Sequence, residues 1–393
     1  MKTSTPTKEG SIVTGFFVRQ RPDMLTFLHA ILPLFGSLLL LQNVIGQDPP
    51  SQDKLTAISD GSLDVIRMIP LHGAIDSPVI TAMDISPDQA LLAAAGDDHS
   101  IRLVSIEERK EIAAFLGHED WVRSVAFSES GKFLASCADD GWLRVWEVSS
   151  KKLMVEVRAT HSLYDVSFLN EETLFSVGFS PNIYRLDLGG NKLQLEHACD
   201  CRDLRAIEIS PTKMHVAYAG RDGVLRVREW DGQKTTAWSM ATLHSERIRS
   251  LKFSSDGKTV TSVGDDRQVF HYDVATKTVI GQTEIRGGKL LGLCPLDDAR
   301  LAVSGSDNTI RILGWNSAVP QLKLTGHDGS VSVLQKTDRY LFSAGFDTTI
   351  RIWDLQRAYR ERDHEGRYSH PVAAQFEDSG LTMPGKLVRT PIQ

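Results

Sequence analysis

Cysteine is scarce in this chain: 393 residues carry four, Cys137, Cys199, Cys201 and Cys294. That number and scatter exclude a disulfide framework as the source of stability, and no Cys-x-x-Cys-His run is present for covalent haem. Cys137 and Cys294 fall in strand-like runs far apart, and buried free thiols are the simplest reading. His197, Cys199 and Cys201 offer three donors but no fourth at a recognisable spacing, so no metal site is expected. Positive charge is also short. Lys and Arg number 44 against 50 Asp and Glu, a net charge of −6, which argues against general nucleic-acid affinity because phosphates need a cationic surface. Gly-x-Ser-x-Gly elbows, His-Glu-x-x-His helices and phosphate-cradling glycine loops are missing as well. No catalytic residue and no cofactor are expected on these grounds, although catalytic ligands can also come from scattered loops.

One long run lacks charge. Residues Met24 to Gly46 contain no Asp, Glu, Lys or Arg, and Lys2, Lys8, Arg19 and Arg21 precede them. A positive region, an apolar stretch and a small residue at its end describe a secretory signal (residues 1–46), with cleavage after Gly46. An uncleaved anchor is the competing reading, since 23 uncharged residues can cross a hydrocarbon core of about 30 Å. Pro33, His29, Gln42 and Asn43 suit a segment that is removed. Both readings keep the positive end inside and place the rest outside the cytoplasm, periplasmic or secreted, with membrane contact only through residues 24–46 if they persist. Residues 47–62 read as a linker.

Beyond it the chain repeats. Asp98, Asp140, Asp222, Asp266, Asp307 and Asp347 recur in one local frame, and Ser180 fills the single gap, so that every step is 40–44 residues. An apolar run with small residues precedes each, and a second apolar run follows. This period with strand-type alternation marks a propeller. The expected fold is all-β: seven four-stranded antiparallel blades over residues 63–356. The last repeat stops after its third strand, at Trp353 and Asp354, and the run from Leu63 to Leu71 stands where its fourth strand should be. An amino-terminal strand is therefore expected to complete the last blade, hiding an edge that would otherwise invite pairing. Residues 357–393 read as a polar, disordered tail.

Two repeats carry a fuller signature: His118, Ser136, Asp140 and Trp146, then His327, Ser343, Asp347 and Trp353, with a glycine before each histidine. In this the chain resembles the WD-repeat family. The resemblance implies that His, Ser, Asp and Trp of one blade form a hydrogen-bonded chain tying loop to strands. Elsewhere parts are missing. Blade 5 has Tyr272 for Trp; blade 3 has His161, Ser176, Ser180 and Leu186; blades 1, 4 and 6 have Val104, Arg228 and Leu313. An unpartnered buried polar group costs about 1–3 kcal/mol, so blades 3, 4 and 6 are expected to be the softest.

The Asp-Asp pairs at 97–98, 139–140 and 265–266, and Ser306–Asn308, tempt a search for catalysis, but they recur at the repeat period and read as turns. One position stands out. The second residue of each first strand is Thr81, Arg123, Tyr164, Arg205, Arg249 and Ser332 in repeats 1–5 and 7. In proteins similar to this one that place lies on the upper rim of the channel and contacts bound peptides. Three unpaired arginines there would form a cationic mouth for an acidic segment. The sequence reading is thus a non-enzymatic, monomeric interaction scaffold with a protein or peptide partner. Its alternative is an extracytoplasmic lactonase-like hydrolase or dehydrogenase with a channel-bound metal.

Overall fold

The computed structural model describes the backbone of residues 57–59 and 64–67, and residues 78–360 apart from 316, 318 and 319. The proposed signal or anchor lies outside the described residues, as does nearly all of the proposed tail.

Seven sheets succeed one another along the chain. Their inner strands are Ile80–Ile85, Val122–Phe127, Leu163–Phe168, Leu204–Ile209, Ile248–Phe253, Leu290–Pro295 and Val331–Lys336, and each continues outward as an antiparallel meander. Alternation explains the shape. A strand buried on both faces between two neighbouring sheets needs apolar or small residues on both, which is why runs such as Leu134–Ala138 and Leu301–Gly305 carry no charge and only one buried serine each. The core accordingly consists of seven clusters, one per junction between blades. The cluster joining Ile80, Met83 and Leu92 to Phe342, Ile350 and Ile352 packs blade 7 on blade 1 and closes the ring.

Closure is also made by hydrogen bonds, as expected. Asp64–Arg67 pairs antiparallel with Thr349–Asp354, with Ile66 opposite Ile350, and completes blade 7. Within the expected linker there is a departure: Ala57–Ser59 adds parallel to Leu322–Thr325 as a fifth strand of blade 6. The amino-terminal stretch therefore stitches two adjacent blades. The start of the expected tail is also ordered. Residues 355–360 are helical, Ala358 is buried, and Leu355 and Tyr359 pack on the junction of blades 6 and 7.

The cysteines divide. Cys137 and Cys294 are free and buried, and burial pushes both thiols well up from the ordinary range. Cys199 and Cys201, weighed from sequence only as metal donors beside His197, are joined as a disulfide in the connection from blade 3 to blade 4.

Candidate channel mouth

Every inner strand begins with a β-bulge. Its register slips between the first and third residues in all seven blades, as between Val122 and Ser124 or Ile248 and Ser250. A bulge leaves one residue unpaired and re-aims its side chain. That residue is Thr81, Arg123, Tyr164, Arg205, Leu291, Arg249 or Ser332, and all seven line one central cavity of about 730 Å³. Small residues opposite the bulge make it possible. A Cβ at Gly96, Gly178, Gly220 or Gly345 would fall about 2 Å from the facing carbonyl oxygen, so the two backbones approach only where a side chain is missing.

The structure brings the expected rim residues together but not as free groups. Arg123 Nε donates to Asp139 at 2.9 Å, and Arg249 Nε and Nη2 donate to Asp265 at 2.7 and 3.0 Å. Arg205 is buried, with Nη2 3.3 Å from Asp203 and its guanidinium over the rings of Phe179 at 3.8 Å and Tyr164 at 4.7 Å. Each arginine thus has an aspartate of its own blade, and the expectation of three unpaired cations is wrong. Thr81 and Ser332 are inter-blade ties: their hydroxyls donate to the carbonyls of Val122 and Ile80. The aspartates that take Arg123 and Arg249 were read as turn formers. Their common offset of 16 residues was the available signal.

Below the mouth, alternate residues face inward. Lys252 Nζ lies 2.9 Å from Glu208, with Asp165 and Asp84 also close enough to favour its charged form, so its pKa is raised although burial opposes this. Burial lifts the Asp84 and Asp165 carboxyls to about 6, even though backbone N–H groups of Phe127 and Ile207 donate to them at 2.8 and 2.9 Å. The lower end is tied by its turns. Ser130 Oγ donates to Glu171 at 2.8 Å, Ser255 to Asp298 at 2.8 Å, and Lys213 reaches Glu129, two blades away, at 3.7 Å.

On the upper side the repeat network forms as a continuous chain. His118 Nδ1 donates to Asp140 at 2.9 Å, Ser136 donates to His118 Nε2 at 2.9 Å, and Trp146 Nε1 donates to Ser136 at 3.1 Å. His327, Asp347, Ser343 and Trp353 repeat it at 2.7, 2.7 and 2.8 Å. Burial opposes ionisation of both aspartates, but the histidine bonds and backbone donors outweigh it and bring them to about 2. Blade 5 keeps His244, Asp266 and Ser262, while Tyr272 turns to Ser239 instead. An arginine also binds the repeat aspartate in blades 4 and 6, which lack the histidine, and in blade 1, whose His72 lies outside the described residues. Arg102, Arg226 and Arg311, each four residues after the repeat aspartate, bind Asp98, Asp222 and Asp307. In blade 3 Tyr184 holds that place, bonded to Thr160 and Asn182, and His161 is exposed beside Thr160.

Comparison with known proteins agrees with this geometry. The profile of the WD domain, G-beta repeat family matches residues 65–105, 109–147, 238–273 and 318–354. Three of these four stretches, 109–147, 238–273 and 318–354, contain a His-Ser-Asp set. Apoptotic protease-activating factor 1 of Rattus norvegicus is 24% identical over 76% of this chain, covering 24% of that relative. Transducin-like enhancer protein 2 of Mus musculus is 27% identical over 41% of the chain and 22% of the relative. LEC14B protein of Lithospermum erythrorhizon is 24% identical over 50% of the chain and 47% of the relative. The chain therefore spans less than half the length of each of these relatives. The chain thus carries WD40 repeats on a seven-bladed propeller, as its bulged inner strands and His-Ser-Asp-Trp chains led one to expect.

Proposed function

We propose that the protein is a non-enzymatic interaction scaffold, working outside the cytoplasm, that binds a protein segment on the upper rim of its channel. The observation that carries this is the set of seven bulges, which turn Arg123, Tyr164, Arg205 and Arg249 onto one mouth while the lower turns are tied to one another. Paired arginines and stacked aromatics are held before a partner arrives, so little entropy is lost on binding. Phe179 and Phe346, exposed on the same loops, add apolar contact area. At the depth where the rival enzyme would need a cation, the Lys252 ammonium already faces the carboxylates.

The test is differential capture from an envelope extract by the full chain. Tyr164→Ala with Phe346→Ala is expected to lose a partner that wild type and Lys213→Ala, on the lower side, both retain. Equal capture by all three sinks the rim assignment. The location rests on the uncharged stretch 24–46 and on the Cys199–Cys201 disulfide, which suits an oxidising compartment. Amino-terminal sequencing of exported protein is expected to begin at Gln47. An intact start on membrane-bound protein would replace cleavage by anchoring, and protein retained inside would overturn export.

A further inference from the structure

The loops of the upper face differ in charge from one side of the ring to the other. On blades 4 to 6, five cations, Arg205, Arg221, Arg247, Arg249 and Lys289, gather around three carboxylates, Asp203, Glu246 and Asp265. Asp203 is shared by Arg205 and Arg221 at 3.3 and 3.6 Å, and Asp265 by Arg249 and Lys289 at 2.7 and 3.5 Å. The repeat aspartates of the same loops, Asp222 and Asp266, are taken by Arg226 and His244. Arg247 makes no ion pair among the described residues, and its Nε is buried without a hydrogen-bond partner. Burial, then the neighbouring Arg249 and Arg205, lower its pKa. Arg221 and Lys289 are half exposed, at 50% and 53%.

Across the mouth the balance reverses. Asp97, Glu119, Asp120 and Asp328 stand on the loops of blades 1, 2 and 7, the last three exposed. The arginines on that side, Arg102, Arg123 and Arg144, are each bound to a carboxylate.

We propose that the bound segment is an electrically bipolar stretch of a partner protein. A carboxylate side chain docks among Arg221, Arg247 and Lys289, and a basic side chain faces Asp97, Glu119, Asp120 and Asp328. Physical reasons favour this arrangement. Clustered cations that outnumber their counter-ions gain most from a visiting anion, and Arg247 gains an acceptor for its orphaned Nε–H. Opposite charge on opposite sides of one mouth also fixes the direction in which a chain lies across it, since the reversed pose sets like charges together. This differs from the ring of three free arginines expected from sequence, because the surplus sits outside Arg123 and on one side only. It rests on the scaffold reading above.

Two fluorescent peptides of identical composition test it, one with a block of glutamates followed by a block of lysines, the other with the two alternating. Anisotropy titration of the full chain is expected to show the block peptide binding about tenfold more tightly, with the preference fading as salt rises. Arg221→Glu, Arg247→Glu and Lys289→Glu together should abolish the preference, provided the unfolding midpoint is unchanged. The milder Arg247→Gln should weaken block-peptide binding alone and guards against a folding artefact. Equal binding of the two peptides by wild type, or an undiminished preference in the variants, overturns the bipolar assignment. Loss of the natural partner by the Tyr164→Ala, Phe346→Ala variant, with capture kept by wild type and Lys213→Ala, would leave the scaffold reading standing in that case.

Discussion

At the residue scale, stability is concentrated where one side chain joins two levels of structure. Trp146 and Trp353 fill blade junctions and also end a hydrogen-bonded chain, at 5% and 1% exposure. Trp146→Ala and Trp353→Ala are each expected to cost about 3–5 kcal/mol in chemical denaturation, and a loss near zero would remove them from the core. The aspartates of the same networks set an acid limit. Their carboxyls lie at about 2 in the folded protein and 3.8 when unperturbed, so each contributes stability that is complete above about pH 4 and lost as pH falls toward 2. Asp84 and Asp165 act oppositely, because burial raises them to about 6, and their cost appears as pH rises from about 4 to 6. Asp84→Asn should therefore gain on wild type by about 2 kcal/mol between pH 4.5 and pH 7 in urea titrations. A difference independent of pH would show that Asp84 stays ionised at no cost. The His-Ser-Asp-Trp sets were legible because they recur with fixed offsets. The binding of repeat aspartates by Arg102, Arg226 and Arg311 was not, since an arginine in a strand looks solvated until its aspartate is seen beside it.

At the element scale, the bulge opening each inner strand decides what the mouth contains. The family resemblance assigned the second residue to the rim, but the sequence could not reveal the slip in register, because a bulge changes pairing without changing composition. The same limit hid the neutralising pairs Arg123–Asp139 and Arg249–Asp265, in which an inner-strand arginine meets an aspartate in the turn after the second strand. The small residue opposite the bulge provides a test. Gly345→Ala puts a methyl about 2 Å from the Ser330 carbonyl oxygen and is expected to destabilise by about 1–3 kcal/mol. Ala138, the one non-glycine at this place, already carries a Cβ there, so Ala138→Gly should cost less. Similar losses at both positions would mean that the close approach is not what selects glycine.

At the scale of the whole molecule, blade number and the amino-terminal strand of blade 7 were readable because the missing fourth strand of the last repeat left a gap that only the other chain end could fill. The fifth strand on blade 6 was not readable: three residues carry no periodicity. Removing residues 1–56 should leave a folded monomer, whereas removing residues 1–67 strips both stitching strands. The longer deletion is expected to lower the unfolding midpoint and to shift the protein toward oligomers in size-exclusion chromatography, since it bares the edge Thr349–Asp354. An unchanged midpoint and a monomeric profile would show that side-chain packing alone closes the ring. The stitching has a further meaning during synthesis. Asp64–Arg67 leaves the ribosome among the first parts of the ring, yet its partner Thr349–Asp354 is among the last. The first strand made must wait, unpaired, until nearly the whole chain exists, so the blades between can condense into an open arc but not a ring. Premature termination anywhere before Thr349 then yields a chain with two raw ends rather than a smaller working disc, and quality control has a single late event to inspect.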